Sequence, residues 1–233
     1  MVQRRLFLIG GTEGDILDVV AEEFVPAAGR RAARIALLMA GGEGWARYVP
    51  RYVEPWRKYG ATQHSIVVPG DDGTLDLPSA LSALEDATGI FIAGGRTAIY
   101  HALYASEPVR SLIRERHAAG VPVAGLSAGA LISPEVCLLR PTPKNPDQEL
   151  RIDDGLGLIS GLVVEVHFDD GPGTLPTLLE GMCRSRTTRG LGIGMSACAV
   201  LEGGQLARVL GRGVHSVTMS DFDERRYTIV QVA

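Results

Sequence analysis

A serine flanked by glycines follows an apolar run in residues 121–130, which read Val121-Pro-Val-Ala-Gly-Leu-Ser-Ala-Gly-Ala130. The pattern G-x-S-x-G, centred on Ser127, predicts a sharp turn between a buried strand and a helix. Only small residues two positions before and after the serine leave room for the returning chain. Such a turn projects the hydroxyl from the strand end and points the N–H of Ala128 at a developing oxyanion. A glycine-rich turn that merely connects two elements is the alternative, and the strand and helix patterns on either side favour the catalytic interpretation.

Apolar runs that end in glycine recur before this segment, at residues 6–9, 35–40 and 90–93. Runs without alternation are typical of parallel strands that are buried on both faces. The intervening residues have helical patterns at 15–24, 48–59, 79–87 and 107–118. Strand, crossover and strand in succession predict an α/β fold with a doubly wound, mostly parallel sheet. In such sheets ligands bind beyond the carboxyl ends of the strands, which is where these glycines lie.

The second half of the chain has a different pattern, with short strands at close spacing. A strand at 162–168 and a helix at 175–184 precede five short apolar runs at 191–195, 197–201, 206–210, 214–218 and 227–232. The turn sequence Glu202-Gly-Gly-Gln205 between two of them favours an antiparallel extension at the sheet edge. The sequence contains no linker composition and no internal repeat. We therefore expect a single domain over residues 1–233.

Composition excludes several classes of protein. The 233 residues are 45% hydrophobic, with 23 basic and 27 acidic side chains and a net charge of −4, which excludes disorder and a basic face for nucleic acid. The apolar runs are far shorter than a membrane span requires, so we expect a soluble cytoplasmic protein without a membrane partner. The three cysteines, at positions 137, 183 and 198, form no CxxC motif and no Cys/His pair, so the sequence indicates no disulfide, metal or cofactor.

A nucleophilic serine needs a base, and His167 is the best placed of the five histidines. It ends the apolar run 162–166 and is followed by Asp169, Asp170 and two glycines, so it should open a loop at the same sheet edge as Ser127. The other histidines, at positions 64, 101, 117 and 215, lie in or beside the crossovers or in a late strand. A structural role for His167 remains an alternative on position alone.

Three motifs together resemble the serine peptidases of family S51, the group that contains cyanophycinase and peptidase E. They are Gly125-Leu-Ser-Ala-Gly-Ala130, Gly155-Leu-Gly-Leu-Ile159 followed by Val-Glu-Val-His-Phe168, and Gly192-Ile-Gly194. The likeness extends to residues 8–11, 91–95 and 211–213 and so covers most of the chain, with cyanophycinase-like members the more similar. It implies a flavodoxin-like, class I glutamine amidotransferase-like fold, a small peptide as substrate, no cofactor and a homodimer.

The resemblance also implies roles for individual residues. Ser127 matches the family nucleophile and His167 its general base, while Gly95 and Ala128 match the donors of the oxyanion hole. The family acid lies between serine and histidine, yet residues 136–146 contain no acidic side chain. Asp147 is the favoured candidate, because the turn at Asn145-Pro146 can aim it. Glu149 and Glu135 are the alternatives, and a solvated loop without catalytic acid is a further one.

The substrate positions depart from the family pattern. Cyanophycinases carry Asn or Asp and Gln where this chain has Arg96 and Thr97, and an acidic pair where it has Met195-Ser-Ala197. A guanidinium at Arg96 can bind a substrate carboxylate, and Asp169 or Asp170 can hold a cationic group. Each of these charges can equally be a solvated side chain.

These observations favour a serine exopeptidase or isopeptidase that acts on small aspartyl or β-aspartyl-linked peptides. An α/β-hydrolase esterase shares the serine turn, but only forty residues separate Ser127 from His167 and no His-Gly-Gly run supplies a second oxyanion donor. A non-catalytic binding protein on the same fold is the third possibility, since the acid and the pocket residues depart from the family.

Overall fold

The fold was analysed in a computed structural model that describes residues 3–140, 149–168 and 174–232. Helices and strands alternate in the first half of the chain, as the sequence predicts. The elements there are β1 (Arg5–Ile9), α1 (Ile16–Ala27), β2 (Arg34–Leu38), α2 (Val49–Lys58), β3 (Gln63–Val67), α3 (Leu77–Asp86), β4 (Gly89–Ile92), α4 (Thr97–Tyr104), α5 (Val109–Ala118) and β5 (Val123–Leu126).

Strands dominate the second half. The elements are α6 (Ala128–Ile132), β6 (Val136–Leu139), β7 (Arg151–Asp154), β8 (Val163–Val166), α7 (Thr174–Ser185), β9 (Arg189–Ile193), β10 (Ala197–Glu202), β11 (Gln205–Gly211), β12 (Val214–Asp221) and β13 (Arg226–Gln231). No helix in the described ranges is long and apolar enough to cross a membrane.

The central sheet has seven strands in the order β11-β10-β1-β5-β4-β2-β3. The five strands from β1 to β3 in this order are parallel, and β10 pairs with β1 and β11 in antiparallel fashion. Mixed α/β architecture with a largely parallel sheet is thereby confirmed. The expected antiparallel extension at the sheet edge consists of β10 and β11.

Helices cover both faces of this sheet. On one face, Phe24 of α1 stacks edge-on against Phe7 of β1 and Phe91 of β4, with ring centroids 5.7 and 6.1 Å away. On the other face α6 lies so close to β4 that Gly129 touches the backbone of Ile92. Successive strand residues point to opposite faces, so Phe91 and Ile92 anchor the two helical layers from neighbouring positions.

A second sheet holds the remaining late strands, in the order β13-β12-β9-β8. Strands β8 and β9 run parallel, whereas β12 is antiparallel to both of its neighbours. The sequence pattern alone predicted one antiparallel extension for all of these late strands and did not show that some of them form a second sheet. The separation occurs at Gly194, whose N–H donates to Gly213 and whose carbonyl accepts from Ala197, so the chain turns between β9 and β10.

Candidate active site

Ser127 occupies the single residue between β5 and α6. Its backbone has φ +50° and ψ −105°, a conformation that L-residues rarely adopt. Two hydrogen bonds hold it there: the N–H of Ser127 donates to the carbonyl of Ile9 over 2.8 Å, and its own carbonyl accepts from Leu131 over 3.0 Å. The β1 strand and the first turn of α6 therefore impose the strained turn, which costs on the order of 1–3 kcal/mol.

The two glycines around Ser127 are required by close approach of backbone. A Cβ atom at Gly125 would lie 2.4 Å from the carbonyl oxygen of Gly129, and one at Gly129 would lie 2.3 Å from the carbonyl oxygen of Ile92. Both distances are well inside van der Waals contact. The G-x-S-x-G spacing thus lets α6 return over β5 and β4 directly after Ser127.

His167 reaches Ser127 from the second sheet. It follows the last residue of β8, has φ +56°, and its Nε2 lies 2.8 Å from the Oγ of Ser127. The next residue, Phe168, fixes this turn by donating its N–H to the carbonyl of Ile193 over 3.2 Å. Its ring fills the space above Gly192, where a Cβ would lie 2.4 Å from a ring carbon. The Gly192 motif therefore serves the placement of the histidine.

Ser127 and His167 share a cleft of about 510 Å³ at the carboxyl ends of the parallel strands. Loops after three of these strands form its rim, and they contain the glycine pairs noted in the sequence. The described lining residues are Gly11, Thr12, Met39, Ala40, Gly41, Gly42, Glu43, Trp45, Tyr48, Arg51, Tyr52, Gly94, Gly95, Arg96, Ile99, Tyr100, Leu126, Ser127, His167 and Met195. The cleft is large enough for a small molecule or a dipeptide.

Gly94 and Gly95 form the wall of the cleft next to the serine. A Cβ at Gly94 would lie 3.3 Å from the Cβ of Ser127, so this loop touches Ser127 directly. The hydroxyl of Tyr100 donates to the carbonyl of Gly94 over 3.1 Å. Burial raises the pKa of Tyr100 above its ordinary value, which keeps the hydroxyl protonated as a donor. Tyr100 therefore holds the orientation of the peptide between Gly94 and Gly95.

Glu165 is an ionisable side chain of β8 that lies in the interior, two residues before His167 in sequence. It is fully buried, and its Oε1 lies 3.0 Å from Nη1 of Arg140 and accepts the N–H of Val166 over 2.9 Å. Burial raises the pKa of Glu165 to about 7, an effect that the Arg140 charge opposes. The sequence analysis did not single out this residue, although one carboxylate within the apolar run 162–166 was a usable signal.

Across residues 6–209 the chain matches the model of peptidase family S51. The chain belongs to peptidase family S51. It is 27% identical to the cyanophycinase of Trichormus variabilis over an alignment of 227 residues, and this alignment covers 96% of this chain and 75% of that protein. It is 30% identical over 181 residues to the cyanophycinase of Synechococcus elongatus, covering 76% of this chain and 55% of that one.

Two solved structures share the fold of this S51 peptidase. A peptidase from an acI-B1 Actinobacterium superposes with a TM-score of 0.67 at 19% identity, covering 97% of this chain and 96% of the other. A putative peptidase E protein from Listeria monocytogenes gives a TM-score of 0.62 at 18% identity, covering 89% and 97%. The expectation of a peptidase enzyme is confirmed by the family match.

The other candidate residues of the S51 peptidase lie in different places. Arg96 is exposed and lines the cleft, while Thr97 begins α4 and is not among the described lining residues. Glu135 lines a separate cavity with Arg114. Asp147 and Asp169 fall outside the described residues.

In the described ranges, no cluster of three His, Cys, Asp or Glu side chains is arranged to hold a metal ion.

Proposed function

We propose that this S51 peptidase hydrolyses small aspartyl or β-aspartyl-linked peptides, with Ser127 as nucleophile and His167 as general base. The observation that carries the proposal is the 2.8 Å contact between Ser127 Oγ and His167 Nε2 inside the cleft. This separation is within the range required for direct proton transfer between a nucleophile and its base.

The chemistry follows from that contact. As Oγ of Ser127 attacks the scissile carbonyl carbon, Nε2 of His167 accepts the hydroxyl proton. The carbonyl oxygen becomes an oxyanion, which collapses when His167 donates the same proton to the departing amine. A water molecule then attacks the acyl-enzyme, His167 again taking and returning one proton, and the acid product leaves with Ser127 regenerated.

We assign the oxyanion donors to the N–H groups of Ala128 and Gly95. Ala128 is the first residue of α6, and a residue at that position has no acceptor for its N–H within the helix. Gly95 is on the loop that touches Ser127 and that Tyr100 holds by its hydrogen bond to Gly94. Each such donor contributes roughly 3 kcal/mol to transition-state stabilisation in serine hydrolases.

Asp147 is our choice for the acid that orients His167. Arg140, the described residue just before Asp147 and its segment, forms a 3.0 Å ion pair with Glu165. Glu165 belongs to β8, the strand that leads directly into His167. Glu149, an alternative candidate along with Glu135, has an exposed side chain two residues before β7.

The preference for acidic peptides rests on the charge of the rim. Arg96 is an exposed cation on the cleft, and we propose that it pairs with a substrate carboxylate while Thr97 assists from the start of α4. Asp169, directly after the histidine turn, is proposed to hold a cationic group of the substrate. The likeness to proteins named cyanophycinase supports the proposal of a peptide substrate.

A substrate panel tests this assignment. We expect turnover of β-Asp-Arg or of Asp-X dipeptides by the wild-type protein and none by Ser127→Ala or His167→Ala. Arg96→Ala should raise KM by roughly tenfold with little change in kcat, because a charge-assisted pair to the substrate is lost. Turnover of p-nitrophenyl acetate alone would contradict the choice of substrate, and peptide turnover that survives Ser127→Ala would contradict the choice of nucleophile.

A further inference from the structure

A second cavity, of about 450 Å³, lies at the edge of the fold opposite the catalytic cleft. Arg4 enters it from just before β1 and Arg189 from the start of β9. Ser127, in contrast, follows the carboxyl end of β5, which runs parallel to β1. The two cavities have no described lining residue in common.

Helix α5 contributes two arginines and a histidine to this cavity, and burial lowers the pKa of that histidine, His117. Arg110, Arg114 and His117 all line it, at spacings of four and three residues that put them on one face of the helix. Two like charges four residues apart on a helix repel one another, so this arrangement is unfavourable in the absence of a compensating negative charge. Together with Arg4 and Arg189, four guanidinium groups surround the cavity.

The lining itself supplies little negative charge to offset them, although Glu107, outside the described lining, interacts electrostatically with Arg110 and Arg114. Glu135 is the one acidic side chain among the described lining residues. Arg110 has a distant ion pair, with Nη1 3.8 Å from Asp154 Oδ2, and its buried Nε has no acceptor among the described residues. Arg189 is held in place by backbone carbonyls, its Nε donating to Gly161 over 3.1 Å.

We propose that this cavity binds a small multivalent anion that carries phosphate or carboxylate groups. Guanidinium groups bind both kinds of group through paired hydrogen bonds, and several of them around one concave site favour more than one negative charge on the ligand. The volume suits a small molecule. The proposal does not depend on the substrate or on the roles of Ser127 and His167.

Isothermal titration at low ionic strength tests the proposal with two probes, inorganic pyrophosphate and citrate. We expect one of them to bind at a ratio of one to one in wild type, and Arg4→Gln and Arg114→Gln each to weaken its affinity by roughly tenfold. Both side chains are exposed, so these variants should fold, which circular dichroism checks. Tighter binding of pyrophosphate assigns a phosphate-bearing ligand, and tighter binding of citrate assigns a polycarboxylate.

Two further variants distinguish specific binding in this cavity from non-specific electrostatic attraction of anions to the protein surface. Arg57→Gln removes an exposed arginine on α2, outside the described lining of the cavity, and should leave the affinity unchanged. Glu135→Gln removes the acidic side chain and should tighten binding several-fold, a gain that a misfolded variant cannot mimic. Absence of saturable binding by both probes, or equal weakening in Arg57→Gln and Arg114→Gln, would overturn the proposal. Ser127→Ala should bind as wild type does.

Discussion

Ser127 and His167 meet across the two sheets of the fold, with Oγ and Nε2 2.8 Å apart and both residues at positive φ. Ser127 belongs to the turn after β5 of the central sheet, and His167 to the turn after β8 of the second sheet. Because non-glycine residues avoid this backbone region, both turns persist only where surrounding contacts impose them. The contact therefore depends on packing around each turn, which the following variants probe.

Gly129→Ala should disrupt the serine turn. The added Cβ would lie 2.3 Å from the carbonyl oxygen of Ile92, so α6 must move away from β4 and take Ser127 with it. We expect a loss of about 1–3 kcal/mol in the free energy of unfolding, measured in urea, and at least a tenfold loss of kcat. The control is Gly203→Asn, at a turn with φ +58° where an added Cβ would meet no atom within 4 Å. Equal kcat values in both variants would contradict this role of Gly129.

Tyr100→Phe should lower kcat without unfolding the protein. The change removes the hydroxyl that donates to Gly94 and keeps the ring. One such bond contributes about 1 kcal/mol, which corresponds to a fall of roughly fivefold in kcat if it positions the oxyanion donor at Gly95. Tyr104→Phe is the matched control, because its buried hydroxyl lies 2.6 and 2.9 Å from the carbonyl oxygens of Met39 and Val67 and shares its one proton between them. If the two variants lose kcat equally, Tyr100 has no specific part in positioning.

Glu165→Gln should change how stability depends on pH. Burial raises the pKa of Glu165 from 4.5 to about 7, so the folded protein retains this proton at a pH where the unfolded chain has released it. Stability should therefore fall as pH rises from about 5 to about 7.5, by up to about 3 kcal/mol, and this loss should be absent in the variant. Urea unfolding of both proteins at several pH values measures the difference between them. Parallel profiles for the two proteins would refute a raised pKa at this position.

Asp147→Asn tests the proposed acid of the triad. We expect a loss of kcat on the order of 10⁴, as seen when the acid is removed from other serine hydrolases, and a much smaller loss in Glu149→Gln. Unfolding midpoints of both variants should stay close to wild type, since neither change removes buried apolar surface. Equal effects, or none in either variant, would remove Asp147 from the mechanism.

The parts of the fold that the sequence predicted are those with strong local patterns. Apolar runs ending in glycine indicated the parallel strands, because a strand buried on both faces has no alternating pattern and its end must turn sharply. Strand β3 was not anticipated, since Gln63–Val67 lies at the sheet edge and has polar, partly exposed side chains. Helix α4 directly after the Gly94-Gly95 loop was missed as well, because its eight residues carry weak helix signals.

Contacts between the two sheets were beyond what local patterns can show. His167 was predicted to lie at the same edge as Ser127, but its approach depends on Phe168 packing over Gly192, two residues that are far apart in sequence. The pairing of Arg140 with Glu165 depends likewise on the packing of β6 against β8. The four arginines of the second cavity come from three separate parts of the chain, and their spacing in sequence carries no sign of the cavity.

The central claim is that Ser127 is a nucleophile activated by His167. A fluorophosphonate probe reacts with activated serines, and intact mass spectrometry followed by peptide mapping locates the adduct. We predict one adduct per chain on Ser127 in the wild-type protein, no adduct in Ser127→Ala, and labelling slowed at least a hundredfold in His167→Ala. An unlabelled wild-type protein, or an adduct on another residue, would contradict the claim.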